Sequence, residues 1–167
     1  MSQVTLKGQP LQISGVIPQK GANAPQFTLT GESLSDVTLN KFAGKKKILN
    51  IVPSLDTTVC AISARKFNAA VADLKDVALL NISMDLPFAQ KRFCESEKLE
   101  NITNLSAFRY PLFGVDYGVQ IKDGPLAGLL ARAVLVLDER NVVRHVQLVP
   151  EIAQEPDYDA ALAAVRA

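Results

Sequence analysis

Two cysteines and one histidine are the side chains of this 167-residue sequence with the most distinctive chemistry: Cys60, Cys94 and His145. A thiolate is a nucleophile and a redox centre, and an imidazole acts as a base or a metal ligand. Two thiols and one imidazole do not complete the usual four-ligand zinc site, and no carboxylates at ligand spacing accompany them. No phosphate-binding glycine motif follows an apolar run either. We therefore expect no metal and no cofactor, since sulfur alone can carry redox chemistry.

Cys60 lies in the most informative stretch of the chain, residues 53–60. The preceding run 48–52 is short, apolar and β-branched, as expected of a strand buried on both faces. If Thr57 caps the following helix, Cys60 occupies its first turn, where free backbone N–H groups and the helix dipole favour an anion. The sequence therefore predicts a reactive thiolate at Cys60, with Thr57 as both cap and pocket residue and Pro53 shielding the sulfur from water.

Other cysteine chemistries fit the spacing less well. No Cys-x-x-Cys pair is present, which disfavours a disulfide exchanger of the thioredoxin type. A cysteine hydrolase would need His145, but it lies in an apolar strand pattern and is interpreted as a satisfied or surface-facing residue. Taken alone, both cysteines could also be inert residues buried as small hydrophobes.

The elements that must position these residues follow from hydrophobic periodicity and turn residues. A hairpin (4–6 and 11–13) and a strand (27–30) precede a helical turn at 40–44. The remaining strands are predicted at 48–52, 77–82, within 101–107, at 133–137 and at 142–149. Three helices are predicted: from Thr57 or Thr58 to about residue 74, from Pro87 to about residue 99, and over 157–166. One further helical turn is predicted within 113–121. The first long helix is expected to bury Val59, Ile62, Phe67, Ala70 and Val71.

This order predicts an α/β fold of the thioredoxin-like kind, with a mixed central sheet, helices on both faces and an N-terminal β-hairpin. Residues 1–167 are expected to form one domain, because no linker, repeat or low-complexity tract interrupts them.

Three segments resemble conserved blocks of one enzyme family. The pattern Pro53-x-x-x-Thr57-x-x-Cys60 resembles the active-site signature of the peroxiredoxins. The stretch SMDLPFAQKRFC at residues 83–94 is similar to a characteristic block of the bacterial thiol peroxidase branch. The stretch GPLAGLLARAV at residues 124–134 is similar to the third block of that branch. The resemblance covers nearly the whole chain.

The resemblance implies a role for five residues. Cys60 would be the peroxidatic cysteine, oxidised to a sulfenic acid, and Cys94 the resolving cysteine that forms an intramolecular disulfide with it. Thr57 would hydrogen-bond the thiolate and the peroxide, Arg132 would stabilise the thiolate and polarise the peroxide, and Pro53 would wall the pocket. The family reduces hydrogen peroxide and organic (alkyl) hydroperoxides to water and alcohols in antioxidant defence. Its reductant is thioredoxin, and its members form homodimers.

Three further expectations depend on this resemblance. Thr58 stands where the family has the smaller glycine, which puts substrate access in question. Cys60 and Cys94 are both expected within helices, Cys94 near the middle of its helix, so forming the disulfide would require both segments to unwind in part. A non-catalytic redox sensor remains an alternative function, although a sensor needs no pocket of Pro53, Thr57 and Arg132.

Composition excludes several other classes of protein. Apolar residues make up 48% and charged residues 21% of the chain, and the formal net charge is +1. The near-neutral charge disfavours a nucleic-acid binder, and no apolar run is long enough for a transmembrane helix. The first residues also lack a signal-peptide pattern. We expect a protein of the cytoplasm whose partners are a hydroperoxide and thioredoxin, with no nucleic-acid or membrane partner.

Overall fold

A computed structural model of the chain describes residues 2–167. In chain order its elements are β1 (Gln3–Leu6), β2 (Gln9–Ser14), β3 (Thr28–Thr30), β4 (Asp36–Thr38), a 3-10 helix (Leu39–Phe42), β5 (Lys46–Ile51), α1 (Thr58–Ala70), β6 (Val77–Ser83), α2 (Pro87–Glu97), β7 (Ile102–Ser106), α3 (Leu112–Asp116), β8 (Gln120–Ile121), β9 (Ala133–Leu137), β10 (Val143–Leu148) and α4 (Tyr158–Arg166).

A seven-stranded mixed sheet forms the centre of the molecule, in the order β10-β9-β5-β6-β7-β3-β4. Strands β5, β6 and β7 run parallel, whereas β9 pairs antiparallel with β5. The N-terminal hairpin β1–β2 pairs with β8 in a separate three-stranded sheet. The predicted mixed sheet and N-terminal hairpin are therefore confirmed.

Successive residues of β5 point to opposite faces of the sheet, and both faces are covered. One face packs against α1 and α4 through a buried apolar cluster: Ile48, Phe67, Val71, Leu79, Val134, Val136, Ala161 and Val165. The opposite face belongs to the larger cluster, which includes residues of the hairpin, the 3-10 helix and α3: Leu11, Ile13, Leu39, Phe42, Leu49, Ile51, Leu80, Ile82, Phe113 and Leu135.

Several element boundaries differ from the sequence-based expectation. Strands β4 and β8 were not predicted, because three and two residues are too few to show a period. Helix α1 ends at Ala70 instead of near residue 74. Beyond it, the N–H groups of Ala72 and Leu74 bond to carbonyls three residues back, at Ala69 and Val71, which closes turns and stops the helix.

The buried stripe of α1 also differs from the expected one. The helix buries Cys60, Ser63, Ala64 and Phe67, whereas Val59, Ile62 and Ala70 are only partly buried. Ser63 belongs to this stripe because its hydroxyl donates to the Cys60 carbonyl at 3.0 Å, so the polar group has a partner inside. Phe67 and Val71 are buried as expected, so hydrophobicity identified the C-terminal part of the stripe and missed its polar and small members, Ser63 and Ala64.

Over residues 2–167, the structure contains no helix that is both long and apolar enough to span a bilayer.

Candidate active site

Two strands of opposite direction bring the candidate site together. Strand β5 ends at Ile51, and β9, which begins at Ala133, pairs with it so that Ile51 lies opposite Ala133. The chain entering β9 at Arg132 therefore lies beside the chain leaving β5 toward Pro53. Both lie at the end of the sheet where the parallel strands have their carboxyl ends, which is where open α/β folds bind their ligands.

The decisive contact joins Arg132 to Cys60. The Arg132 Nη1 donates to the Cys60 Sγ at 3.2 Å, and the two residues are 2% and 0% exposed. Within residues 2–167, no carboxylate forms a salt bridge with Arg132. A buried cation requires partners that compensate its charge, and around Arg132 these are the Cys60 sulfur in hydrogen-bond contact and, at longer range, the charge of the Glu155 carboxylate.

Arg132 is held in this orientation by a second hydrogen bond. Its Nε donates to the carbonyl of Ile152 at 2.9 Å. The Ile152 N–H in turn donates to the carbonyl of Thr5 in β1 at 2.9 Å. The N-terminal hairpin thus fixes the carbonyl that orients the arginine, a role for Thr5 and Ile152 that no sequence motif indicated.

The loop before Cys60 is organised by Asp85, which follows β6. Its carboxylate accepts from the Ser54 hydroxyl at 2.7 Å and from the Leu55 N–H at 2.8 Å. It also accepts from the Ser83 hydroxyl at 2.8 Å. Sequence reasoning missed Asp85 as a site residue. The available signal was a carboxylate two residues after a buried strand, inside the second of the blocks that resemble the family.

Thr57 occupies the N-cap position of α1 but does not cap it with its side chain. Its hydroxyl donates to the carbonyl of Ser54 at 2.9 Å, closing the turn in front of the helix. The expectation of a side-chain cap is therefore wrong, because that turn offers the hydroxyl a nearby acceptor. Pro53 is buried, and Thr57 and Thr58 are exposed.

Cys94 lies in the last turn of α2, nearer its end than the middle position that was expected. It is partly buried, and the Asn104 Nδ2 donates to its Sγ at 3.1 Å. Burial raises the pKa of the Cys94 thiol, and the hydrogen bond from Asn104 opposes that shift. Both cysteines are free, so the structure does not join Cys94 to Cys60.

A surface cleft of about 400 Å³ separates the start of α1 from α2. Thr57, Thr58 and Phe93 are among the residues that line it. Phe93 also packs on the buried cluster that contains Cys60. Phe88, which was grouped with Phe93 as core or pocket wall, is instead 68% exposed.

His145 lies in β10, at an irregularity in its pairing with β9. Its buried Nε2 has no hydrogen-bond partner in the described part of the chain, and the residue as a whole is partly exposed. Of the two expectations for this histidine, satisfied or surface-facing, the first is therefore not met. Burial lowers the pKa of His145. The described residues 2–167 also contain no group of three or more His, Cys, Asp and Glu side chains that could hold a metal ion.

Comparison with known proteins identifies the family. The model of the redoxin family matches residues 19–162. A thiol peroxidase of Mycobacterium bovis is 52% identical over 167 residues, which cover the full length of both chains. The chain belongs to the thiol peroxidases. As a thiol peroxidase it is an oxidoreductase of the peroxiredoxin type, as the resemblance implied.

Solved structures of related proteins agree with this family. A peroxiredoxin-like protein from Aquifex aeolicus has a TM-score of 0.92 and 42% identity, over 98% of this chain and 95% of the other. A thiol peroxidase from Chromobacterium violaceum has a TM-score of 0.91 and 26% identity, with the same coverage. The thioredoxin-like fold predicted from the sequence is thereby confirmed for this thiol peroxidase.

Proposed function

We propose that Cys60 is the peroxidatic cysteine of this thiol peroxidase. The observation that supports it is the buried contact between the Arg132 guanidinium and the Cys60 sulfur, at 3.2 Å. In the proposed step the thiolate attacks the terminal oxygen of the hydroperoxide and the O–O bond breaks. The departing oxygen takes up a proton and leaves as water or an alcohol, and Cys60 becomes a sulfenic acid.

Arg132 would act on both reactants of this step. A guanidinium has five N–H donors, of which Nε is used by Ile152 and Nη1 by Cys60, so donors remain for the peroxide. Donors aimed at developing negative charge in a site without water are effective in catalysis. Thr57, at the mouth of the cleft, would reach the peroxide after releasing its bond to Ser54, and Pro53 would exclude water.

Cys94 would be the resolving cysteine. Its thiol condenses with the Cys60 sulfenic acid, which forms the Cys60–Cys94 disulfide and releases one water molecule. Thioredoxin would then reduce the disulfide by thiol–disulfide exchange, returning two thiols and leaving thioredoxin oxidised. The partial exposure of Cys94 and its position on α2, the helix that lines the cleft facing the start of α1, support this assignment.

The substrates we propose are hydrogen peroxide and organic, especially alkyl, hydroperoxides. Apolar side chains in the cleft between α1 and α2 support the organic substrates: Leu55, Ala61, Ala89 and Phe93. Thr58 lies exposed in the same cleft, so its side chain narrows the approach for bulky peroxides compared with a glycine.

We also propose that the protein is a homodimer and acts in antioxidant defence in the cytoplasm. Four large apolar side chains are exposed on the loops and first helical turns that follow β6 and β7: Leu86, Phe88, Phe108 and Leu112. The Ser106 hydroxyl bonds to the Asp85 carbonyl, so these two segments are neighbours. An apolar surface of this kind supports association between copies.

The proposed function is tested by NADPH consumption with thioredoxin, thioredoxin reductase and cumene hydroperoxide. The wild-type chain should turn over rapidly, Cys60→Ser should be inactive, and Cys94→Ser should be much slower. A wild-type chain that forms one Cys60–Cys94 disulfide but consumes no further peroxide would instead be a redox sensor. A chain in which neither thiol is oxidised would contradict both functions.

A further inference from the structure

Three asparagines lie side by side across the parallel strands of the central sheet. Asn50 of β5 pairs in register with Asn81 of β6, and Asn81 pairs with Asn104 of β7. All three are buried, and the Asn50 Nδ2 donates to the Asn81 Oδ1 at 3.0 Å. Burying an amide is unfavourable unless it finds partners. The row ends at Asn104, whose partner is the sulfur of Cys94.

The orientation of the Asn104 amide follows from its second contact. The Asn104 Nδ2 lies 3.3 Å from the backbone carbonyl of Gln90 and 3.1 Å from the Cys94 Sγ. A carbonyl oxygen can only accept, so the NH₂ end of the amide must face Gln90. The same nitrogen therefore presents its other hydrogen to Cys94, and the sulfur is held by a donor.

We propose that Asn104 is a positioning residue for Cys94 that holds its sulfur and stabilises its thiolate form. A donor stabilises the anion more than the neutral thiol, because charge-assisted hydrogen bonds are the stronger ones. The thiolate attacks the Cys60 sulfenic acid, the S–O bond breaks, and hydroxide leaves as water after taking up one proton. This inference rests on the resolving role proposed for Cys94.

The burial of Cys94 and the charges around it also affect the equilibrium between its thiol and its thiolate. Burial raises the pKa of Cys94, and the negative charge of Glu32, in the turn between β3 and β4, raises it further. Lys41 and Lys91 line the cleft of about 410 Å³ that Glu32 and Asn104 share. Asn104 is the group in hydrogen-bond contact with the sulfur, so its removal takes away the hydrogen bond that counters burial and Glu32.

The first test measures the thiolate of Cys94 without peroxide chemistry. In a Cys60→Ser background, the rate of Cys94 alkylation by iodoacetamide is followed against pH. Asn104→Leu, which keeps the branching of the side chain and removes the donor, should move the profile about one pH unit upward and slow alkylation roughly tenfold at neutral pH. Asn81→Leu is the matched control, because it removes the neighbouring buried amide without touching Cys94, and its profile should not move.

The second test follows resolution in the chain with both cysteines. After one equivalent of peroxide, Asn104→Leu should form the disulfide roughly tenfold more slowly than wild type at neutral pH, accumulate more dimedone-trapped sulfenic acid, and recover the wild-type rate at alkaline pH. A purely structural defect would slow the step at every pH. If Asn104→Leu does not fold, Asn104→Asp replaces it; its carboxylate removes the donor and should move the profile in the same direction.

Two outcomes separate this inference from the proposed function. An Asn104→Leu alkylation profile that coincides with that of Asn81→Leu would overturn the role of Asn104 even if the wild-type chain forms the disulfide. A wild-type chain that forms no Cys60–Cys94 disulfide with peroxide would overturn the resolving role of Cys94 and, with it, the part of Asn104 in that step.

Discussion

At the scale of single residues, the site depends on one buried arginine with two fixed hydrogen bonds. Arg132 reaches the Ile152 carbonyl with Nε and the Cys60 sulfur with Nη1. A guanidinium can make both bonds at once because its donors lie in one rigid plane, whereas an ammonium is a single point charge. We therefore expect the reactivity of Cys60 to depend on the geometry of the Arg132 guanidinium as much as on its charge.

We expect Arg132→Lys to lower the second-order rate constant for Cys60 oxidation by about 10²- to 10³-fold, the loss typical of removing one preorganised donor. The rate is measured in a Cys94→Ser background by quenching with dimedone and quantifying the Cys60 adduct. Arg144→Lys is the control, since Arg144 forms an exposed salt bridge with Asp138. Equal rates for the two variants would contradict the role given to Arg132.

At the scale of elements, the two cysteines lie in separate intact helices. Cys60 is in the first turn of α1 and Cys94 in the last turn of α2. A disulfide requires its two Cα atoms to approach within about 7 Å. Terminal turns open at low free energy, so these positions suit a cycle in which both segments partly unwind.

We expect amide hydrogen exchange to become faster in both cysteine-bearing turns when the Cys60–Cys94 disulfide forms. The measurement compares the reduced and the oxidised protein by mass spectrometry of peptides covering residues 53–64 and 87–100. Exchange of β5 and β6 should stay unchanged and serves as the internal control. Identical protection of both cysteine segments in the two states would show that no unwinding takes place.

A second element-scale feature is the turn after α3. Gly118 has a φ of +64°, and a Cβ there would lie 2.2 Å from the Ile17 nitrogen. Gly8 also has positive φ, +80°, but open space around it. A substitution at Gly8 would introduce only the strain of a left-handed backbone, whereas one at Gly118 would add a steric clash with another part of the chain.

We expect Gly8→Ala to lower the free energy of unfolding by about 1–2 kcal/mol, the usual strain of a left-handed residue. Gly118→Ala should lower it by at least roughly 3 kcal/mol, because backbone atoms of the segment Val16–Ile17 must also move. Urea unfolding of the two variants checks this difference. Equal midpoints would mean that the contact between these segments is not rigid.

At the scale of the whole molecule, four exposed apolar side chains lie on the neighbouring segments that follow β6 and β7: Leu86, Phe88, Phe108 and Leu112. Leu112 and Phe88 are 70% and 68% exposed. Exposed apolar residues at neighbouring positions mark association surfaces more often than isolated ones do.

We expect the wild-type chain to be a dimer in solution and Phe88→Glu to shift it toward the monomer, because a carboxylate would be desolvated at the interface. Light scattering coupled to size exclusion measures the mass of each. Ala163→Glu is the control, because Ala163 is exposed on α4, which packs against β9 and β10 and not beside the segments that follow β6 and β7. A wild-type chain that remains monomeric at high concentration would contradict the homodimer.

The sequence by itself determined the fold class and the enzyme family, and it predicted a chemistry for each cysteine. Apolar strands such as β5, and the motif that ends at Cys60, depend on residue types and short spacings that are visible along the chain. The hairpin and the mixed sheet were predictable for the same reason.

Only the tertiary structure decided which groups complete the site. The contacts of Arg132 with Cys60 and with the Ile152 carbonyl, and that of the Asp85 carboxylate with Leu55, join segments at least 20 residues apart. The Asn104 amide reaches Cys94 from the next element along the chain. The Thr57 hydroxyl bonds to the Ser54 carbonyl and does not cap α1, because the folded turn places that acceptor within reach. Local patterns encode which elements form, whereas these partners depend on strand order and register, which set the distances between elements.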